Sequence, residues 1–336
     1  MLTFLPDDLV SRAMILEDLP QVVSLLNARS RDLIGVDSTT DQRLRTKMQT
    51  PGFVVETDTR IVLDGEGQII GAAYIYDLSD PHVQVEVESV LDPAYHDHGI
   101  GDILIDWAEE RASRALLSAP TGARVTLSHS VLDQDAPTQK LLMQHEFKPV
   151  RQFWRMVIEM DDSPPSPAWP TGIAVQAFSS HPDERALALA VRDAFRDHWG
   201  YVEEPIADQV MRWSYQIEHD PDFDPSLWFL AMEGEEIVGV SLCWPKAHED
   251  PNMGYVGMLG VRRPWRQQGI GLALLRHSFG ALYLRGVRKV GLDVDAASLT
   301  GATRLYKNVG MHIDRHTYTY EKELRSGRDL STQCIE

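Results

Sequence analysis

The sequence has few cysteines, an excess of acidic over basic residues and no long apolar run. Only Cys243 and Cys334 occur among 336 residues, so a disulfide framework is excluded. The 32 lysine and arginine residues face 50 aspartate and glutamate residues, and the net charge is −18. Because so acidic a surface repels phosphate backbones and anionic lipid, we expect neither nucleic acid nor a membrane among the partners.

Targeting and metal signals are also missing from the sequence. No stretch approaches the roughly 18 apolar residues that a membrane-spanning helix requires. The N-terminal sequence MLTFLPDDLVSRAM has acids where a signal peptide has a basic head, which predicts a cytoplasmic protein. The histidines show no spacing typical of a metal site, so we expect no metal.

A proline-rich segment divides the chain. The sequence DDSPPSPAWPTG, residues 161–172, has four prolines in twelve residues and is typical of a stiff linker. A length of 336 residues also favours two domains, because single cores stop growing near about 250–300 residues. We predict an N-terminal domain over 1–160, a linker over 161–172, a C-terminal domain over 173–325 and a tail over 326–336.

The two halves repeat one order of elements. Each has a helical stretch, then a hairpin pattern around a glycine-bearing acidic turn, RIVLDGEGQIIGAAYIYD in the first half and WFLAMEGEEIVGVSLCW in the second. Each continues with a strand, a glycine step and a long helix, and ends with a strand, a short helix and an aromatic-rich strand. A repeat of this length indicates a tandem domain rather than a solenoid.

The glycine step is the feature that indicates function. The second half has RPWRQQGIGLALL from Arg263, and the first has PAYHDHGIGDILI from Pro93. Glycines allow close backbone approach to a ligand, and the free amides at a helix start attract anions, phosphate above all. A P-loop is excluded because neither copy has the required lysine. A dinucleotide fingerprint is disfavoured because the third glycine is missing and no βαβ unit is evident in the sequence.

The remaining pattern, R/Q-x-x-G-x-G/A after a strand, resembles the pyrophosphate loop of the GNAT superfamily of acyl-CoA N-acyltransferases. It fits the second copy fully, at Arg266, Gly269 and Gly271, and the first at all but its leading position, His96. The tandem arrangement resembles that of mycothiol synthase and related actinobacterial proteins. The resemblance implies an α/β fold of two tandem domains, each a twisted, mostly antiparallel sheet flanked by helices, and acetyl-CoA or another acyl-CoA as co-substrate.

Cofactor contacts follow from the resemblance, residue by residue. In the second half it implies binding by the strand segment, the loop and a polar residue before the short helix: Leu259, Gly260, Val261, Arg266, Gln267, Gln268, Gly269, Ile270, Gly271, Leu272 and Ser298. In the first half it implies binding by the matching strand and loop residues: Ser89, Val90, Leu91, Asp97, His98, Gly99, Ile100, Gly101 and Asp102.

Catalysis is predicted in the C-terminal domain. The resemblance places the acid that protonates the leaving thiolate at Tyr306, whereas the first half has Leu142 there and is interpreted as degenerate. The glutamate base of mycothiol synthase-like domains falls on Tyr255, which cannot accept a proton at neutral pH. The sequence FRDHWGY offers His198 as a substitute base.

The sequence therefore predicts an N-acetyltransferase that acylates the amine of a small metabolite in its C-terminal domain. Two alternatives stay open at this stage. A non-catalytic acyl-CoA-binding protein is compatible with the missing glutamate, and an O-directed or carrier-directed acyltransferase is compatible with the same fold.

Overall fold

The computed structural model describes residues 8–334, and the chain divides into two compact units. The first unit comprises the chain up to Gln152 together with Thr317–Leu330. The second comprises Phe153–His316 together with the residues from Ser331 onward. No helix within residues 8–334 is both long and apolar enough to cross a membrane.

The regular elements follow one another along the chain as twelve strands and ten helices within residues 8–334. The strands are β1 Val10–Arg12, β2 Thr59–Leu63, β3 Ile69–Tyr76, β4 Gln84–Leu91, β5 Val125–Leu132, β6 Lys148–Glu159, β7 Ile173–Ala177, β8 Trp228–Glu233, β9 Glu236–Trp244, β10 Met253–Val261, β11 Lys289–Asp295 and β12 His312–Arg325. The helices are α1 Leu19–Ile34, α2 Asp41–Met48, α3 Val55–Asp58, α4 Ile100–Ala112, α5 Ala115–Ser118, α6 Ala136–Gln144, α7 Glu184–Phe195, α8 Ile206–His219, α9 Ile270–Leu284 and α10 Ala302–Asn308.

The sheet of the first unit is completed by a strand from the end of the chain. Strands β1 to β5 lie side by side in sequence order, and residues 317–325 of β12 pair antiparallel with β5. Among the strands of this sheet within residues 8–334, only β4 and β5 run parallel to each other.

The sheet of the second unit receives a strand from before the proline-rich segment in the same way. Its order is residues 153–159 of β6, then β11, β10, β9, β8 and β7. Again one pair is parallel, β10 with β11. Residues 161–170 form neither helix nor strand.

The predicted fold class is confirmed, since both units are mixed α/β with mostly antiparallel sheets. Both predicted hairpins form as β2–β3 and β8–β9, and Gly67 and Gly234 adopt positive φ in their turns. The statement that no βαβ unit encloses the glycine step is wrong, because β10, α9 and β11 form one with parallel strands. The missing third glycine is therefore the one remaining argument against a dinucleotide-binding site.

The parallel strands of each unit separate after a short pairing. In the second unit β10 and β11 pair only from Met253–Lys289 to Tyr255–Gly291, although both strands continue. A bulge at Gly257 bends β10 immediately afterwards. A Cβ there would lie 2.5 Å from the Trp244 ring, so the bend requires glycine. We call this gap between β10 and β11 the second notch. In the first unit β4 and β5 pair over Gln84–Glu86 and then separate, and we call the gap beyond Glu86 the first notch.

Helices cover the two faces of the second sheet. Helix α7 begins at an Asp183 cap and buries the stripe of Leu187, Ala190, Val191 and Ala194. It packs with α8 on the face that includes Met258. On the opposite face α9 and α10 share an apolar core with the inward residues of β11.

Candidate active site

The glycine step of the second unit forms a helix start with free amides. Gly269 precedes α9 with φ 89°, a left-handed conformation that favours glycine, and no side chain caps the helix. The amides of Ile270, Gly271 and Leu272 therefore have no partner within the helix. Together with the helix dipole they form a seat for an anion.

The space in front of this seat is open. A Cβ at Gly269 would meet nothing within 4 Å, and one at Gly271 would lie 3.6 Å from Leu305 and 3.7 Å from Val261. The backbone is thus accessible where a pyrophosphate would approach it. The residues present fit the phosphate part of acyl-CoA.

Arg266 holds the loop in place. Its Nε donates to the Val261 carbonyl at 2.9 Å, one terminal nitrogen pairs with Asp197 at 2.5 Å, and the other donates to the Ala194 carbonyl at 3.0 Å. Asp197, which Arg263 also contacts, is 4% exposed. Burial alone would raise the pKa of Asp197, but the two arginines outweigh it and hold that pKa below its usual value. Arg266, predicted as a cofactor contact, fastens the loop to α7.

The other predicted cofactor residues of the second unit surround the same opening. Gln267 has φ 63° and is exposed, and Gln268 donates to the Pro264 carbonyl. Leu259–Val261 pair with β9 on one side only, because β11 has already diverged at the second notch. Ser298 lies in the turn before α10 and contacts Thr300. Their binding role stays a prediction.

Tyr306 lies on α10 in the core between that helix and β11. It is 6% exposed, and burial raises its pKa to about 12. No hydrogen bond to its hydroxyl is found within residues 8–334. A phenol in this state is protonated at neutral pH and has a proton to donate.

His198 follows α7 in the loop that carries Asp197. Burial and then the charge of Arg266 lower its pKa, against the smaller opposing effect of Asp295 and Asp197. The imidazole is therefore neutral at pH 7 and able to accept a proton. Its ring packs on Phe195 at 4.5 Å between centroids.

The tail contacts the His198 loop, which the sequence does not indicate. The Gly200 amide donates to the Thr332 carbonyl, and the Thr332 amide donates to the Tyr201 carbonyl, each at 2.8 Å. The Trp199 indole donates to the Gln333 side chain at 2.9 Å. Residues predicted as a plain tail thus hold the loop that carries the candidate base.

The loop of the first unit has the same backbone and opposite charge. Gly99 precedes α4 with φ 73° and no side-chain cap, as in the second unit. The first loop contains Asp92, Asp97 and Asp102, whereas the second contains Arg262, Arg263 and Arg266. Only Asp92 and Arg262 occupy matching positions, since Asp97 and Asp102 match Gln267 and Leu272. Carboxylates here oppose a phosphate ligand by direct repulsion.

Side chains also fill the space that is open in the second unit. A Cβ at Gly101 would lie 2.7 Å from Leu141, whereas the counterpart Leu305 leaves 3.6 Å at Gly271. His145, near the end of α6, donates to Asp102 on α4 at 2.9 Å. Hydrogen bonds to Glu109 and Asp102 raise the pKa of His145 against the effect of burial.

The first notch is bridged as well. The Ser89 hydroxyl and His129 Nε2 lie 2.8 Å apart across the diverging strands, and His129 is 5% exposed. Leu142, the counterpart of Tyr306, is fully buried. Val90, Leu91, His98 and Ile100 lie at the end of β4 and the start of α4, as the repeat predicts. Their binding of acyl-CoA stays a prediction, which Leu141 and the Ser89–His129 contact across the first notch oppose.

We expect the first unit to bind acyl-CoA on the order of 10- to 100-fold more weakly than the second, since three like charges and Leu141 oppose it. The double variant Leu141→Ala with Asp102→Asn should strengthen this weaker binding, whereas Leu305→Ala should not. Native mass spectrometry of a coenzyme A titration counts both sites. Two equal sites in the unchanged protein would contradict the expectation.

The fold and this site define an acyl-CoA-dependent transferase of the GNAT type. The family model described as "Acetyltransferase (GNAT) family" matches residues 22–129 and 188–311. The chain belongs to this family of acetyltransferases, and acetyl-CoA is its co-substrate.

Several known proteins are similar to this chain over most of its length. Mycothiol acetyltransferase of Thermobispora bispora is 31% identical over 256 residues, 74% of this chain and 78% of the relative. That of Streptomyces scabiei is 29% identical over 285 residues, 83% and 82% of the two chains. The crystal structure of a GCN5-related N-acetyltransferase from Sphaerobacter thermophilus is 34% identical with a TM-score of 0.79, covering 98% of this chain and all of that one.

Proposed function

We propose that this protein transfers an acetyl or other short acyl group from CoA to the amine of a small metabolite, and that the second unit performs the chemistry. The observation that carries the proposal is the difference between the two units. The second has an open glycine seat among arginines and a protonated Tyr306, whereas the first has acids in its loop, Leu141 packed over Gly101 and Leu142 in the place of Tyr306.

The residues divide the reaction between them. The amides of Ile270, Gly271 and Leu272 hold the pyrophosphate, and the unpaired edge of β10 at the second notch holds the pantetheine arm. His198 accepts the first proton that the substrate ammonium loses, and passes it to solvent. The amine nitrogen then forms a bond to the thioester carbon as the carbon–sulfur bond breaks.

Tyr306 donates its proton to the departing sulfur. The second proton of the nitrogen leaves as the amide forms and restores the phenol through solvent, so the products are the amide, free thiol and one proton. The pKa of about 12 keeps Tyr306 protonated until the thiolate develops. The relatives named mycothiol acetyltransferase support a small-molecule acceptor.

Thiol release from acetyl-CoA with a panel of primary amines tests the proposal: ethanolamine, putrescine, tyramine and glucosamine. We expect release that depends on the amine, and a product heavier than the amine by one acetyl group. Binding of acetyl-CoA without amine-dependent release from any of them would support a non-catalytic binding protein. An ester product from a hydroxyl acceptor would identify an O-acyltransferase.

A further inference from the structure

A carboxylate lies at the second notch that the predicted chemistry does not use. Asp293 is two residues beyond Gly291, the last residue of β11 that pairs with β10. The hydroxyl of Tyr255, the last residue of β10 that pairs with β11, donates to Asp293 Oδ2 at 2.9 Å. The Asp293 side chain is 43% exposed. It is therefore accessible where the two strands diverge.

The carboxylate faces away from the side on which Tyr306 lies. Leu292 and Val294 are buried in the core with Tyr306, and side chains alternate along a strand. Asp293 consequently projects from the opposite face, the one that bears Tyr255. A group in the notch would have a proton donor on one face and a carboxylate on the other.

Arg155 holds this carboxylate in a fixed orientation. It lies opposite Asp293 on β6 and contacts both carboxylate oxygens, at 2.7 Å from Nε to Oδ1 and 2.9 Å from a terminal nitrogen to Oδ2. An ionised carboxylate offers about four lone-pair sites, and these donors with Tyr255 occupy three. One site, on Oδ1, is left for a further donor.

The charged side chains near Asp293 are paired with one another, so the open position on Asp293 Oδ1 is the feature that favours a cationic partner. Arg155 and Arg315 both pair with Glu249, Arg155 also pairs with Asp293, and Arg315 lies 3.6 Å from Asp314. Asp295 lies on the same face of β11, where Arg266 and Asp197 also act on His198. His198 beside Asp295 is neutral at pH 7 because its pKa is lowered by burial.

We propose that Asp293 binds the protonated amine of the acceptor and directs its nitrogen into the second notch, so that the enzyme selects cationic primary amines over neutral alcohols. The proposal rests on the proposed function. Asp293 is a substrate-binding residue that determines specificity, whereas His198 and Tyr306 move protons.

The variant Asp293→Asn keeps the shape of the side chain and removes its charge. A hydrogen bond to a charged group contributes about 1.5–3 kcal/mol, so we expect KM for the best amine of the panel to rise roughly 10- to 100-fold. The affinity for acetyl-CoA, measured by calorimetry, should not change. The difference between variant and parent should shrink at higher pH, where the free amine dominates and needs no carboxylate.

Glu249→Gln is the matched control, because Glu249 also pairs with Arg155 but forms no hydrogen bond with Tyr255 or Asp293 within residues 8–334. We expect Glu249→Gln to leave KM for the amine near the parent value and Asp293→Glu to recover part of the lost affinity. An equal rise of KM in Glu249→Gln and Asp293→Asn would show a merely structural role and overturn the proposal.

Calorimetric binding of the same panel amines, in the presence of CoA, gives a readout that does not require turnover. Weaker amine binding by Asp293→Asn supports the proposal, and unchanged binding overturns it. Absence of turnover in the parent protein contradicts the proposed function alone, so the two failures are distinguishable.

Discussion

Replacing Tyr306 by phenylalanine should reduce turnover about 10²- to 10⁴-fold, the usual effect of losing one acid catalyst. This corresponds to roughly 3–5 kcal/mol in the activation barrier. The ring keeps its packing on α10, and only the hydroxyl is removed. Steady-state kinetics with saturating acetyl-CoA and amine measure the change.

Binding of acetyl-CoA should be nearly unchanged in this variant, because the glycine seat lies at the start of a different helix, α9. Tyr320→Phe is the matched control, since Tyr320 is a buried tyrosine of the first unit, 5% exposed. We expect it to have parent activity. Parent turnover by Tyr306→Phe would exclude the acid role, and the thiolate would then leave without a protein acid.

The second large effect is expected from Gly271→Val. The side chain would stand between the ligand and the amides of α9, which removes one or two hydrogen bonds to a charged group at about 1.5–3 kcal/mol each. The affinity of the second unit for acetyl-CoA should therefore fall roughly 10- to 10⁴-fold. Calorimetric titration of the purified variant with acetyl-CoA measures this affinity directly.

The fold should tolerate this change, since a Cβ at Gly271 meets its neighbours at ordinary contact distances of 3.6 and 3.7 Å. Gly280→Val places the same side chain on the same helix, in space that is open within 4 Å. It should bind acetyl-CoA like the parent. Unchanged affinity in Gly271→Val, at an unchanged melting temperature, would remove the glycine step from the binding site.

Features encoded by neighbouring residues could be predicted from the sequence. The hairpin turns at Gly67 and Gly234 and the helix starts after Gly99 and Gly269 depend on residues next to one another, and all four form where the pattern indicates. The tandem repeat then fixes the order of elements. Local chemistry accounts for this success.

Contacts between distant residues could not be predicted in this way. The pattern of β6 shows a strand but not its partner, which is β11 through residues 153–159. Nothing near Asp293 in the sequence identifies Tyr255 or Arg155 as its neighbours. Leu141 and Leu305 occupy matching positions, and only the packing shows that one covers its glycine and the other does not.

Each sheet contains one strand from the far side of the proline-rich segment, and this affects the order in which the chain can fold during synthesis. Strand β5 of the first sheet needs residues 317–325 as its neighbour, and about 185 residues separate the two. At roughly 5–20 residues per second the ribosome needs about 10–40 s to supply them. During that interval β5 presents an unpaired edge, a surface on which nascent chains associate. Neither half, expressed alone from a gene cut at residues 161–172, would contain all the strands of its sheet.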